Sequence, residues 1–217
     1  MRRVRGMVLR QVAIMTLVGV LAGVAGACTM EEQMRLLVIG GLASLLLCTA
    51  VADGRIQRDV KAPLIDAGLR PSAPSFRLSD GKGTTIELSK FRGRPVVLNL
   101  WATECGGCRA ELPTFVELRR NYKAHDLEVI GVSMEVMYES LKTATEGWAR
   151  VRPFVQSHGL QYTIVMDDGS VEKKYHVTAM PSTYLIDKRG RVAATYVGVV
   201  DAADLMANVK AIVAERE

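Results

Sequence analysis

VVLNLWATECGGCRAELP, residues 96–113, carries three patterns in succession. Val96 to Trp101 is an apolar run broken only by Asn99, and it reads as a central strand buried on both faces. Two cysteines, Cys105 and Cys108, then stand two residues apart. Beyond them RAELPTFVELRRNY, residues 109–122, sets Leu112, Phe115, Val116 and either Leu118 or Arg119 at helical spacing. Pro113 falls inside that helix and is expected to kink it, because proline has no N–H for the ladder. A strand that enters a helix through a cysteine pair could be a redox centre, a metal clip or a staple.

The amino-terminal region bears on that choice. The chain has four cysteines, and two of them, Cys28 and Cys48, lie in separate apolar runs at 12–30 and 36–52, with EEQMR between them. If both runs spanned a bilayer, the chain would cross twice and return everything after Ala52 to the cytoplasm. The second run is short for a span. It reads better as a secretory signal peptide, with Met34 and Arg35 as its start, Leu36 to Leu47 as its apolar region and Ala50-Val51-Ala52 as its cleavage site. Met30 or Met34 is then the true start, and the first run is untranslated or an alternative anchor. Lipidation at Cys28, in AGAC, ranks behind cleavage. Residues 1–52 are therefore expected to be a signal peptide or membrane anchor, 53–72 a linker without sustained period, and 73–217 the folded domain. That domain is expected outside the cytoplasm, in the periplasm or on the outer face of the cytoplasmic membrane.

Without residues 1–52, only Cys105 and Cys108 remain. A staple gains its stability by closing a long loop, and two intervening residues close almost none. Structural zinc needs further ligands, but only His125, His158 and His176 are present, none close in sequence to another. Dithiol–disulfide exchange needs nothing beyond the pair and is the leading reading. Metal-binding and structural roles are its alternatives.

Outward from the cysteines, FRLSDGKGTTIEL at 76–88 alternates around DGKG and predicts a β-hairpin. LEVIGVSM at 127–134 predicts a second buried strand, and TEGWARVRPFVQSHG at 145–159 a helix ended by Gly159. YTIVMDD reads as a strand, VEKKYHV as a helical turn, and STYLIDKRGRVAATYVG as a hairpin turning at Lys188 to Gly190. A closing amphipathic helix begins at Asp201, its expected cap. This order gives an α/β domain with a mixed sheet. The formal charge of +5 comes largely from the first 52 residues, where Arg2, Arg3, Arg5, Arg10 and Arg35 face only Glu31 and Glu32. The remainder, 23 basic against 21 acidic groups, has no basic stripe interleaved with aromatics, which argues against nucleic-acid binding.

VVLNLWATECGGCRAELP together with VTAMPSTYLID, residues 177–187, resembles the thioredoxin superfamily, and within it the extracytoplasmic TlpA/ResA-like thiol-disulfide oxidoreductases, a group that includes the cytochrome c maturation reductases. The likeness covers nearly all of residues 74–217. It implies a thioredoxin-like fold, with a central mixed sheet flanked by helices, an N-terminal hairpin and a central insertion. It also implies a disulfide reductase that uses its own Cys105–Cys108 disulfide and no other cofactor. Cys105, at a strand end with a helix N-terminus beyond it, would have its thiolate stabilised by orphan N–H groups and the helix dipole, which makes it the nucleophile. Cys108, one turn on and shielded, suits a resolving thiol. The residue matching Pro181 is cis in the family and lies opposite the cysteines, and Met180 before it presents its backbone edge to an extended substrate. Trp101, Gly106 and Gly107 complete the candidate substrate contacts.

The departures carry information too. Glu104 stands where the family commonly has Trp; beside Cys105 it should disfavour the thiolate and make the protein more reducing, unless it points into water and does little. Gly106-Gly107 lacks the proline often found second in the loop, which softens it. Asn99 replaces the buried Asp of cytoplasmic thioredoxins. Glu111 matches a family glutamate and could assist proton transfer, the alternative being an exposed helix face. The implied partners are exported proteins with disulfides, apocytochrome c among them, and a thiol-reducing electron donor in the membrane. The chain itself is expected to be a monomer, with a tether if residues 1–52 are retained. Two competing classes are weaker. In a Cu(I) metallochaperone the cysteines would hold the metal with His176 or Met180, but such chaperones usually space their cysteines by three residues. In a peroxidase, proline and threonine would be expected upstream, where this chain has Leu98 and Ala102.

Overall fold

The computed structural model describes residues 59–216. The signal or anchor expected over 1–52, the start of the linker and the last residue, Glu217, lie outside the described residues.

Strand β3 (Val96–Trp101) is buried along its whole length, as an apolar run flanked on both faces requires. It occupies the centre of a five-stranded sheet of order β5-β4-β3-β6-β7, where β4 is Glu128–Ser133, β5 Thr163–Met166, β6 Ser182–Ile186 and β7 Val192–Val197. β3, β4 and β5 run parallel, while β6 and β7 are antiparallel to their neighbours, giving the expected mixed sheet. Helix α1 (Gly106–Asn121) follows β3 directly and continues on both sides of Pro113, whose ring is exposed. Its buried positions, Cys108, Glu111, Leu112, Thr114, Phe115 and Leu118, fall on one helical stripe and seat it on the sheet.

Between β4 and β5 lies the insertion, a short helix α2 (Glu135–Tyr138) and a longer α3 (Ala144–Ser157). Thr143 caps α3, its hydroxyl accepting from Glu146 N at 3.2 Å. Helix α4 (Ser170–Lys174) precedes β6, and α5 (Ala202–Ala214) closes the chain, its cap Asp201 accepting from Asp204 N at 2.9 Å. One sheet face, with Val97, Trp101, Val129 and Leu185, packs with residues of α1, α3 and α5. The other, with Leu98, Leu100, Ile130 and Val132, packs with the antiparallel pair β1 (Arg77–Ser79) and β2 (Thr85–Glu87) and with Val171 of α4.

The stretch read as a linker is, over its described part, laid along the edge of β7. Ile65 N donates to Ala193 O at 2.8 Å, Val192 N to Pro71 O at 2.8 Å, and Val60 N to Val199 O at 2.6 Å. The buried Arg70 guanidinium reaches Asp187 at 3.2 Å and Glu215 at 2.7 Å. Residues 59–72 thus satisfy backbone groups at a sheet edge that would otherwise face solvent.

Candidate active site

The last residue of β3, Trp101, is followed by a turn in which Cys105 N donates to Ala102 O at 3.3 Å. That turn is gripped from the insertion. Glu135, the first residue of α2 and fully buried, accepts from Thr103 N at 2.9 Å and from Thr103 Oγ1 at 2.7 Å. Sequence reading missed Glu135, because neither a four-residue helix nor a contact 32 positions away leaves a periodic trace.

Cys105 is the N-cap of α1, in extended backbone, and its Sγ accepts from Cys108 N at 3.2 Å. The two sulfurs are joined, with Cα atoms 5.2 Å apart. Cys105 keeps 5% of its surface exposed and Cys108 none, so of the two cysteines only the first reaches the surface. Gly106 beside it is exposed and Gly107 half-buried. Glu104 is exposed, so its carboxylate lies in water, which screens its effect on Cys105.

Met180–Pro181 is a cis peptide bond. Ser182 is registered opposite Leu100, which brings Pro181 level with Trp101 at the end of β3 that leads to the cysteines. Pro181 is buried, and the half-buried Met180 packs against the cluster that holds Trp101, Cys105 and Cys108. His176, considered as a metal ligand, is exposed.

Glu111 is not on an exposed helix face; with 2% of its surface accessible it is part of the core, and the exposed alternative is corrected. It sits one turn after Cys108 on the same side of α1. Asn99 Nδ2 donates to its Oε1 at 2.7 Å and Val200 N to its Oε2 at 3.1 Å, while the same Asn99 amide donates to Thr183 Oγ1 at 3.0 Å. Burial pushes the Glu111 carboxyl up to about 7, the two hydrogen bonds opposing that rise without cancelling it. Asn99 therefore does more than replace an acid: it orients the buried carboxylate.

Comparison with known proteins agrees with this geometry. The model of the AhpC/TSA family matches residues 70–195. The thiol-disulfide oxidoreductase ResA of Geobacillus kaustophilus is 31% identical over 84% of this chain and 99% of its own length. ResA of Bacillus subtilis is 29% identical over 79% of this chain and 89% of its own. Among solved structures, the exposed lipoprotein thioredoxin Etrx1 of Streptococcus pneumoniae superposes with a TM-score of 0.52 at 25% identity, covering 64% of this chain and 99% of that one.

Proposed function

Since this chain belongs to the AhpC/TSA family and is a thiol-disulfide oxidoreductase of the ResA type, we propose that it reduces disulfides of exported proteins, with Cys105 as nucleophile and Cys108 as resolving thiol. The observation that carries the reading is a disulfide at the N-terminus of α1 in which Cys105 alone touches solvent.

In the reduced protein the Cys105 thiolate attacks one sulfur of a substrate disulfide. That bond breaks, the other substrate sulfur leaves as a thiolate and takes up a proton, and a mixed disulfide forms. Cys108 passes its proton to the Glu111 carboxylate and attacks Cys105 Sγ; the mixed disulfide breaks and the second substrate thiol departs. Two electrons have moved to the substrate, and the chain is left with its Cys105–Cys108 bond, the form described above. A group that titrates near neutrality suits the acceptor, since an appreciable fraction is ionised when needed. The chain's own thiols suffice as cofactor, and an external dithiol, a thiol-reducing donor in the membrane, must restore them. Met180 and Pro181, with Gly106 and Gly107, flank the path of an extended substrate segment such as that of apocytochrome c, while Trp101, with none of its surface exposed, lies behind them in the core rather than against the substrate.

Burial supports the reducing direction. A thiolate held in largely apolar surroundings is disfavoured, and a dithiol whose thiolate is poorly stabilised parts with its electrons readily. Titration in glutathione or dithiothreitol buffers is expected to return a potential on the order of −250 mV or lower; a value of about −120 mV would make the protein an oxidant and overturn the assignment.

Residues 1–52 are proposed as the export segment. The apolar runs there, and the description of the similar pneumococcal protein as an exposed lipoprotein, support that reading. Sequencing the amino terminus of the protein from cells is expected to give a start near Asp53, whereas an intact 1–52 would mean an anchored protein.

A further inference from the structure

The thiol mechanism leaves one part of the core unused. Among the described residues, three buried side-chain atoms have no hydrogen-bond partner: Asn99 Oδ1, Trp101 Nε1 and the Tyr162 hydroxyl. A buried polar atom that nothing satisfies is costly, so three in one layer call for a reason.

They do share a layer. Asn99 is registered opposite Gly131, and Gly131 opposite Ile164. Trp101, two residues beyond Asn99 on the same strand, has its side chain on the same face. A Cβ on Gly131 would lie 2.8 Å from Trp101 Nε1 and 3.1 Å from Tyr162 Cε2, the ring carbon next to the one that bears the hydroxyl. The missing side chain of Gly131 is thus what lets the indole N–H and the phenol edge both close in over β4. Directly opposite Gly131, on the strand that also carries Trp101, the Asn99 amide donates to Glu111. The charge of Glu111 also reaches the phenol: burial first, and that charge second, push the Tyr162 hydroxyl up, which keeps it neutral and able both to donate and to accept.

Among the described residues, the other elements around Glu111 bring no competing charge. Thr183 of β6 and the Val200 amide are neutral, and Tyr196 of β7 bonds to Asp204 and Asn208 of α5. Cys108, on the same helix, is the reacting group itself.

We propose that Tyr162 is a positioning residue for the thiol chemistry: its hydroxyl, with Trp101 Nε1 and Asn99 Oδ1, holds buried solvent beside Glu111 and governs when that carboxylate takes and releases its proton. A buried water needs two to four polar partners. The indole supplies a donor, Asn99 Oδ1 an acceptor, the phenol either, and Glu111 the acceptor that completes the set. A hydroxyl that donates to a carboxylate, directly or through water, favours the ionised form, so its removal raises the proton affinity of Glu111. The proposal rests on the reading of Glu111 as the acceptor for Cys108.

Tyr162→Phe tests it, because the ring that fills the core is kept. In the full oxidised chain, a carbon-13 NMR titration of the Glu111 carboxyl, assigned with Glu111→Gln, is expected to show its midpoint about half a pH unit or more higher in Tyr162→Phe, a threefold or larger gain in proton affinity. In a Trp148→Phe background, where Trp101 is the one indole in the sequence, a water cross-peak at the Trp101 indole proton is expected and should weaken with Tyr162→Phe. An unchanged midpoint and no water contact in a folded variant would overturn the proposal while leaving the dithiol mechanism intact. If the midpoint and the cross-peak change but the rate of mixed-disulfide resolution ignores the new midpoint, the role of Tyr162 toward Glu111 is supported and the role of Glu111 as proton acceptor fails.

Discussion

Glu111→Gln is expected to slow the resolution of a mixed disulfide by about a hundredfold near neutral pH, the lower end of what a positioned proton acceptor contributes. The reaction can be followed with an aromatic disulfide reagent. The reduced protein attacks it at Cys105 and releases one coloured thiolate, and the attack of Cys108 then releases the second. The second release should follow a pH profile with a midpoint near 7 in the native protein, where Glu111 ionises. In the variant it should follow the titration of the Cys108 thiol alone. Native rates and an unchanged profile in Glu111→Gln would remove Glu111 from proton transfer.

The same carboxyl makes a stability prediction of definite sign. Its folded value of about 7 lies above the ordinary 4.5, so the fold holds this proton more tightly than the unfolded chain does. Below about pH 4.5 both states are protonated and nothing is lost. As the pH rises from there to 7 the unfolded chain ionises first, so stability falls; above 7 the loss is complete, on the order of 3 kcal/mol at about 1.4 kcal/mol per pKa unit. Chemical unfolding at pH 4 and pH 8 should therefore show the native protein losing roughly that much relative to Glu111→Gln. A constant difference between the two proteins would mean that the carboxyl titrates normally.

Much of this site was legible before the fold was known, and the reason is locality. β3 and β4 announce themselves as unbroken apolar runs because both of their faces are covered, and the β1–β2 and β6–β7 hairpins turn at the glycine-bearing segments that predicted them. The cap of α5 is a single aspartate at the start of an amphipathic stretch. What escaped depends on distance along the chain. Glu135 grips Thr103 across 32 residues, and no local pattern marks it. Residues 59–72 pair with β7 through backbone groups, which have no side-chain signature, so an irregular composition reads as a linker. Glu111 was ambiguous for a different reason: it precedes Leu112 and lies four and seven residues before Phe115 and Leu118, which puts it on the buried stripe, but a charged side chain argues for solvent until its partners are known. Asn99 and Val200 are those partners. For Glu104, the neighbouring position in sequence leaves open whether it acts on Cys105 or points into water, and its exposure favours the second.

The division of labour between the two cysteines produces the largest effect of all. Cys105 stands at the helix N-terminus with a small part of its surface open, whereas Cys108 is enclosed by the core. Without Cys105 no bond to a substrate can form; without Cys108 the bond forms but is not resolved. Turnover should fall to background in both variants, yet for opposite reasons. The measurement that separates them is mass spectrometry of each reduced variant mixed with an oxidised peptide bearing a C-x-x-C-H disulfide. Cys108→Ser is expected to carry one peptide, bound at Cys105 and released by dithiothreitol, and Cys105→Ser to carry none. An adduct on Cys108 in Cys105→Ser, with Cys108→Ser left unmodified, would contradict the assignment of Cys105 as the nucleophile.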